Sequence, residues 1–459
     1  MKASFTKHIL TCLFIVCCLC TSCDADGQKK LPNIFEPDGN EVVNLHYTSN
    51  ADTVFLSWTL TQDVTFTQYL VCDSYGYNNV SLAKDATSCF LTHIPYNEPV
   101  KINLSLINGT QSLTSVEVTV KITGYDSLMV KQLFPDSGSI TAGDGMYSIA
   151  LPDGRSLFLM GDSYAGTVTN GQRSYGDHMY RNSYILYDKG HVSGLYGVNG
   201  PNTSAAVPPG VTDESQQWYW PGHGFAKGDT LYLFQELMYQ GEPGAWGFRY
   251  KNTHLLTYHL PEMQLVNDTV IPYTGPDHVH FGAATLYDRD SVYIYAQVDI
   301  ENDFDPVTEV WVARSTPAGL ASDWEYFTGN GWSSSASECA NVSGLASVPV
   351  SSQFNVFKLQ DKYVLLTQNK TFNSGEIYTF LADNPWGPWK NKKLIYKIPP
   401  MSNNNWFTYN AMGHTKFIKD GMMLVSFNVN TSVFSEQFTD VYSYRPRFFW
   451  VAIDKILTK

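Results

Sequence analysis

One phrase recurs five times in the latter two-thirds of this chain, and it constrains the fold more than any other feature. Each copy is an apolar run, a tight turn carrying an aspartate, and a second apolar run. The copies are IALPDGRSLFLMGD around Asp153, GFAKGDTLYLFQE around Asp229, ATLYDRDSVYIYAQVD around Asp290, FKLQDKYVLLTQN around Asp361 and KFIKDGMMLVSFN around Asp420. Turn residues between runs of strand-forming residues read as hairpins. The turn aspartates are 76, 61, 71 and 59 residues apart. Each interval holds a four-stranded sheet with generous loops. Repetition of one such unit around an axis predicts an all-β chain with a five-bladed β-propeller over residues 139–459. The alternative is a plain β-sandwich whose hairpins coincide.

At 459 residues a second domain is expected. Aromatics make up 14% of the chain, with 34 Gly and 22 Pro, which suits a strand-rich protein with many turns. Short alternating segments at Val42–Tyr47, Thr53–Leu60, Thr67–Cys72, Val100–Ile107 and Ser115–Ile122 predict a small immunoglobulin-like or fibronectin-like β-sandwich over residues 31–122, with Trp58 in its core. It carries no catalytic constellation and reads as a spacer or accessory binding domain; residues 123–138 connect it to the propeller. At the start, Lys2 and Lys7 precede the apolar run Ile9–Leu19, too short for a mature membrane span. The run ends in Cys20-Thr21-Ser22-Cys23-Asp24, which resembles a bacterial lipoprotein signal: residues 1–22 are removed, Cys23 is lipidated, and residues 23–30 form a tether. An ordinary secretory signal is the alternative, and either implies export. Cys72, Cys89 and Cys339 remain for the mature body; whether Cys72 and Cys89 pair is open. The formal net charge of −13, without a basic cluster, argues against nucleic-acid or anionic-membrane partners.

The repeat also concentrates chemistry. Seven to nine residues after each turn aspartate stands a polar residue: Asp162, Glu236, Asp299, Asn369 and Asn428. The incoming strands begin with Gly143-Asp144-Gly145, Gly222-His223-Gly224, His280-Phe281-Gly282, Gln353-Phe354-Asn355 and Gly413-His414. Innermost propeller strands begin around one central funnel, so these positions converge there. The first copy carries a Gly-Asp pair at each open end, which brings Asp144 and Asp162 together as acid–base chemistry requires. The other reading of each Gly-Asp is an Asx turn closing a strand.

The motifs GDG and GDS within Gly143–Ser163, RNS at Arg181–Ser183, WPGHGF at Trp220–Phe225, FGAATLY at Phe281–Tyr287, TYNAMGH at Thr408–His414, SFNVN at Ser426–Asn430, YRPRF at Tyr444–Phe448 and DNPWGPW at Asp383–Trp389 follow one another in order. Together they make residues 139–451 resemble the five-bladed propeller glycosidases of the arabinanase and β-xylosidase type. The resemblance is closer to secreted bacterial propellers grouped as a domain of unknown function, some of which are endo-acting D-arabinofuranases. It implies furanoside hydrolysis by paired carboxylates, one protonated and one ionised. Asp144 and Asp162 are expected to be the core pair and Glu236 the third carboxylate, with a surface acid as the other reading of Glu236. The arabinanase pattern's acid on the third blade has no clear match; Asp299 is a weaker candidate in an exposed acidic loop. Expected sugar contacts are His223, Trp220, Asn182, Gln353, His414 and Arg447. For Arg447, closure of the propeller against its first blade is the alternative, and for Trp218, Tyr219 and Trp220 core packing competes with stacking on a sugar.

The leading expectation is an exported, lipid-anchored glycoside hydrolase of the bacterial cell envelope, acting on a furanose-containing polysaccharide of the arabinan type. The alternative is a non-catalytic glycan-binding lipoprotein using the same funnel. The expected partner is a poly- or oligosaccharide, the only membrane contact the lipid anchor. No cofactor is expected and no metal ligand is assigned; a calcium in the funnel or at Asp299–Asp305 stays open, since DIENDFD does not meet the EF-hand pattern. No Gly-x-Ser-x-Gly elbow or phosphate-cradling loop is present.

Overall fold

The computed structural model describes residues 33–34 and 42–458, except 51–52, 75, 77, 92–93, 95–98, 122–124, 299–308, 400, 402 and 420. The signal sequence, Cys23 and Asp299 therefore lie outside the described residues. The chain divides into two compact units, residues 1–127 and 128–459.

In the smaller unit two four-stranded antiparallel sheets form. One joins Asn33–Ile34, Val43–Asn50, Thr53–Leu60 and Ser88–Leu91; the other joins Asn79–Ala83, Gln68–Asp73, Val100–Asn108 and Gln111–Val120. Alternation of buried and outward residues along Val100–Asn108 gives each sheet one apolar face. Trp58 of the first sheet meets Tyr69 of the second at 5.2 Å between ring centroids. Cys72 and Cys89 are free thiols on different sheets, and burial pushes Cys89 up to about 11.

Described strands of the larger unit group into five antiparallel sheets in chain order, each opening with one of the five hairpins. The lead strands are Ser137–Ala150, Gln217–Lys227, Val279–Asp288, Asn355–Leu359 and Trp406–Lys419. Each contacts the next, and the fifth returns to the first, so they close a ring. The fold is all-β, as expected.

The core lies between successive sheets. Tyr147, Leu157 and Leu159 of the first sheet pack on Leu231, Leu233 and Leu256 of the second. Phe225, Phe234 and Leu255 of the second pack on Phe281, Val292 and Ile294 of the third. Val312 and Tyr295 of the third pack on Val356, Leu365 and Phe380 of the fourth. Each fully buried side chain of this kind contributes about 1.5–3 kcal/mol. Arg445 closes the ring: its Nε donates to the Thr141 carbonyl at 2.7 Å and its Nη2 pairs with Asp136 at 3.0 Å.

Four of the five hairpins slip register near the middle of the lead strand: at Gly145/Tyr147, Pro221/Gly224, Phe281/Ala284 and Tyr409/Met412. Such bulges break the two-residue alternation and re-aim side chains. They recur where the sequence places the glycine-rich strand starts.

Candidate functional site

The first hairpin bears the most elaborate irregularity. Tyr147 pairs with Leu159, Gly145 with Met160, and Gly143 with Ser163, so Asp144 lies opposite Gly161-Asp162. Met146, squeezed out of the ladder, takes a left-handed φ of 64°. Gly161 is required by close approach: a Cβ there would stand 2.5 Å from Asp144 Oδ1. The two Gly-Asp pairs thus form facing bulges that bring both carboxylates to one place.

Neighbouring sheets then distinguish the two acids. Tyr409 of the fifth sheet donates its hydroxyl to Asp144 Oδ2 at 2.5 Å. Burial, reinforced by the charge of Asp162, pushes Asp144 up to about 7, against the lowering effect of hydrogen bonds from Tyr409 and Tyr444. Asp162 is raised by burial too, but Arg181 and Trp220 oppose the rise. Trp220 of the second sheet donates Nε1–H to Asp162 Oδ1 at 3.0 Å, and Arg181 Nη1 reaches Oδ2 at 3.4 Å. The Arg181 guanidinium lies over the Trp218 ring at 4.2 Å, and the Tyr444 hydroxyl donates to the Asp162 backbone carbonyl at 3.0 Å. The cation beside Asp162 favours its ionised form over that of Asp144, so of the pair Asp144 is the one placed to hold a proton. Such a pair can give a proton at one atom and attack, or activate water, at another.

Glu236 sits opposite Trp220 in the second hairpin, and its Oε1 is 3.7 Å from His280 Nδ1. His280 stacks on Tyr250 at 3.7 Å. Gln353 is partly exposed, donating to the Pro221 carbonyl at 3.4 Å and accepting from Asn410 at 3.2 Å. Glu236, Gln353 and Trp220 are each half-buried, while His280 is buried.

Four expected sugar contacts are placed otherwise. His414 is fully buried, and both its ring nitrogens are engaged, by Ser148 at 2.8 Å and Ser426 at 2.9 Å. Asn182 is fully buried; its amide donates to the carbonyls of Ala206 and Tyr219 and its oxygen accepts from the Ala206 N–H. Arg447 is fully buried, donating to the carbonyls of Arg445 and Tyr442. His223 is buried against Tyr147, and its Nδ1 accepts from the Thr285 N–H at 3.1 Å. Burial lowers His223 to about 4 and His414 to about 3, keeping both neutral at pH 7. These four brace the interior. Trp218 and Tyr219 are likewise buried, leaving Trp220 as the partly open member of that run.

Tyr409, Arg181 and Tyr444, which tune the two acids, were not singled out from the sequence. Each lies inside a motif already noted there.

No curated protein matches the chain in sequence. Among solved structures, a Bacteroides ovatus protein assigned only provisionally as a hydrolase is 22% identical, with a TM-score of 0.58 over 71% of this chain and 89% of that one. At that identity the likeness shows the fold. A GH43_1 enzyme from Xanthomonas citri complexed with xylose is 12% identical, with a TM-score of 0.40 over 71% of this chain and 93% of its own. The GH32 β-fructofuranosidase of Bombyx mori is 11% identical, with a TM-score of 0.38 over 70% and 61%. A family model described as a domain of unknown function, DUF5005, matches residues 128–453. That stretch is well over half of the sequence, and the chain belongs to the DUF5005 family.

Proposed function

We propose that the larger unit is a five-bladed β-propeller glycoside hydrolase that cuts a furanose-containing polysaccharide of the arabinan type. The observation that carries the reading is the acid pair of the first hairpin. Asp144 is pushed up to about 7 by burial and its neighbour's charge, while Asp162, also raised by burial, has Arg181 and Trp220 opposing the rise. Pairs of carboxyls with environments so divided mark acid and base assignments.

In the proposed reaction Asp144 gives its proton to the glycosidic oxygen as the bond to the anomeric carbon breaks. Asp162 attacks that carbon or takes a proton from the water that does. Water supplies the hydroxyl of the new reducing end, and the departing sugar leaves as an alcohol. Glu236, beside His280, adds negative charge to the same funnel and supports the positive charge that develops on the ring. Trp220 and Gln353 contact the sugar. The smaller unit is an immunoglobulin-like spacer. Its attachment through lipidated Cys23 would hold the enzyme on the bacterial envelope, within reach of polymer outside the cell.

The test is product release from a panel of arabinans, galactans and other plant and bacterial glycans, using soluble chain beginning after Cys23. Cleavage abolished by both Asp144→Asn and Asp162→Asn supports the reading. Glycan binding without cleavage, unaffected by either substitution, would assign the protein to a non-catalytic class and leave the aspartates as turn residues.

A further inference from the structure

Two runs of aromatic side chains leave the acid pair in different directions. From Asp162 the first passes through Trp220, which donates to it, to Phe248 at 4.7 Å and Trp246 at a further 6.3 Å between centroids. From Asp144 the second passes through Tyr409, which donates to it, to Phe407 at 5.7 Å and Phe372 at a further 6.0 Å. Both runs end in open solvent: Trp246 is 75% exposed and Phe372 is 74% exposed. The first belongs to the second sheet and the second to the fourth and fifth, and in the ring the first sheet lies between them. Trp246 and Phe372 occupy equivalent loops, joining the second and third strands of their sheets. In the first sheet Asp162 lies within the second strand, Ser156–Thr167.

Single exposed aromatics are common on protein surfaces. Six in two files, each hydrogen-bonded at its inner end to one carboxylate of the same pair, are a different matter. Their outer members cover no core, so neither packing nor stability accounts for them. Aromatic faces bind the apolar C–H faces of sugars. The net charge of −13 disfavours a polyanion, so the ligand that fits is an uncharged glycan chain.

Resting on the proposed function, the geometry points to two glycan-binding tracks, Trp220–Phe248–Trp246 and Tyr409–Phe407–Phe372, which hold one uncharged polysaccharide chain on both sides of the bond to be cut. Affinity should therefore grow with chain length in both directions from the acid pair, and each track should serve only the sugars on its own side.

The test compares Trp246→Ala and Phe372→Ala on debranched linear arabinan and on its oligosaccharides of increasing length. The readouts are KM and kcat, with affinity electrophoresis in an Asp144→Asn background to read binding without turnover. Both side chains are three-quarters exposed, so both variants should fold, with thermal unfolding as the control. The expected result is a rise in KM of about ten-fold on the polymer for each variant, with kcat on the shortest cleaved oligosaccharide unchanged. Trp246→Tyr should restore most of the loss. Polymer KM and electrophoretic retardation equal to the parent in both variants, with cleavage intact, would overturn the tracks alone. A parent chain that neither binds nor cuts any glycan would overturn the function on which they rest.

Discussion

Replacing Asp144 by asparagine should stabilise this protein, and should do so only above a definite pH. The side chain keeps its size but can no longer ionise. In the fold the carboxyl is pushed up to about 7, from 3.8 for the free group. A group with a raised folded pKa contributes fully to stability below its unfolded pKa and loses that contribution as the pH rises through its folded pKa. Below about pH 4 Asp144 is protonated in both states, so the variant and the parent should match. Between about pH 4 and 7 the folded parent holds a proton that the unfolded chain releases, and the gap should widen by about 1.4 kcal/mol per pH unit. Above about pH 7 it should level off on the order of 4 kcal/mol, from the span between 3.8 and about 7. Thermal or urea unfolding of the full chain from pH 4 to 8, following the larger unit's transition, reads this difference. A gap independent of pH, or a variant less stable than the parent at pH 8, would refute the claim that the site holds its acid at a cost to the fold.

Tyr409→Phe removes a donor that lowers the Asp144 pKa. The alkaline limb of kcat/KM, expected near pH 7, should therefore move up by about one to two units, the equivalent of a hydrogen bond to a charged group; a limb that stays in place would count against Asp144 as the acid. Gly161→Ala puts a Cβ 2.5 Å from Asp144 Oδ1, so kcat should fall about ten-fold or more through displacement of the carboxylate. An unchanged kcat would show that the bulge does not position the acid. Arg445→Ala strips the Thr141 carbonyl of its buried partner at the ring closure and leaves a void. Urea unfolding should show a loss of about 2–4 kcal/mol, and a loss below about 0.5 kcal/mol would mean that closure rests elsewhere.

Much of the architecture was legible because a hairpin is a local object. Its turn residues and two apolar arms are contiguous, so the five copies could be found and paired by inspection. In the smaller unit the five expected segments appear as strands within a few residues of their predicted ends, while Asn33–Ile34, Asn79–Ala83 and Ser88–Leu91, each five residues or fewer, are not among the expected segments. The acid pair was legible for the same reason. Asp144 and Asp162 are eighteen residues apart along the chain but face one another across one turn.

The environment of that pair was not legible, since it is supplied by the ring. Tyr409 reaches Asp144 across 265 residues of sequence, and Trp220 reaches Asp162 across 58. Nothing local distinguishes Tyr409 from the other tyrosines among 29 in the chain. His414, Arg447 and Asn182 are expected sugar contacts because such side chains often bind sugars, yet each is buried and hydrogen-bonded within the fold. A glycine-flanked histidine in a repeated strand signals that backbone and ring must pack closely, and close packing is what a propeller axis needs before it needs chemistry. On the proposed function, the residues left for substrate are those whose outer atoms the packing does not consume: the two acids on their facing bulges, Glu236 opposite Trp220 in the second hairpin, and the aromatic files that run from the acids to solvent.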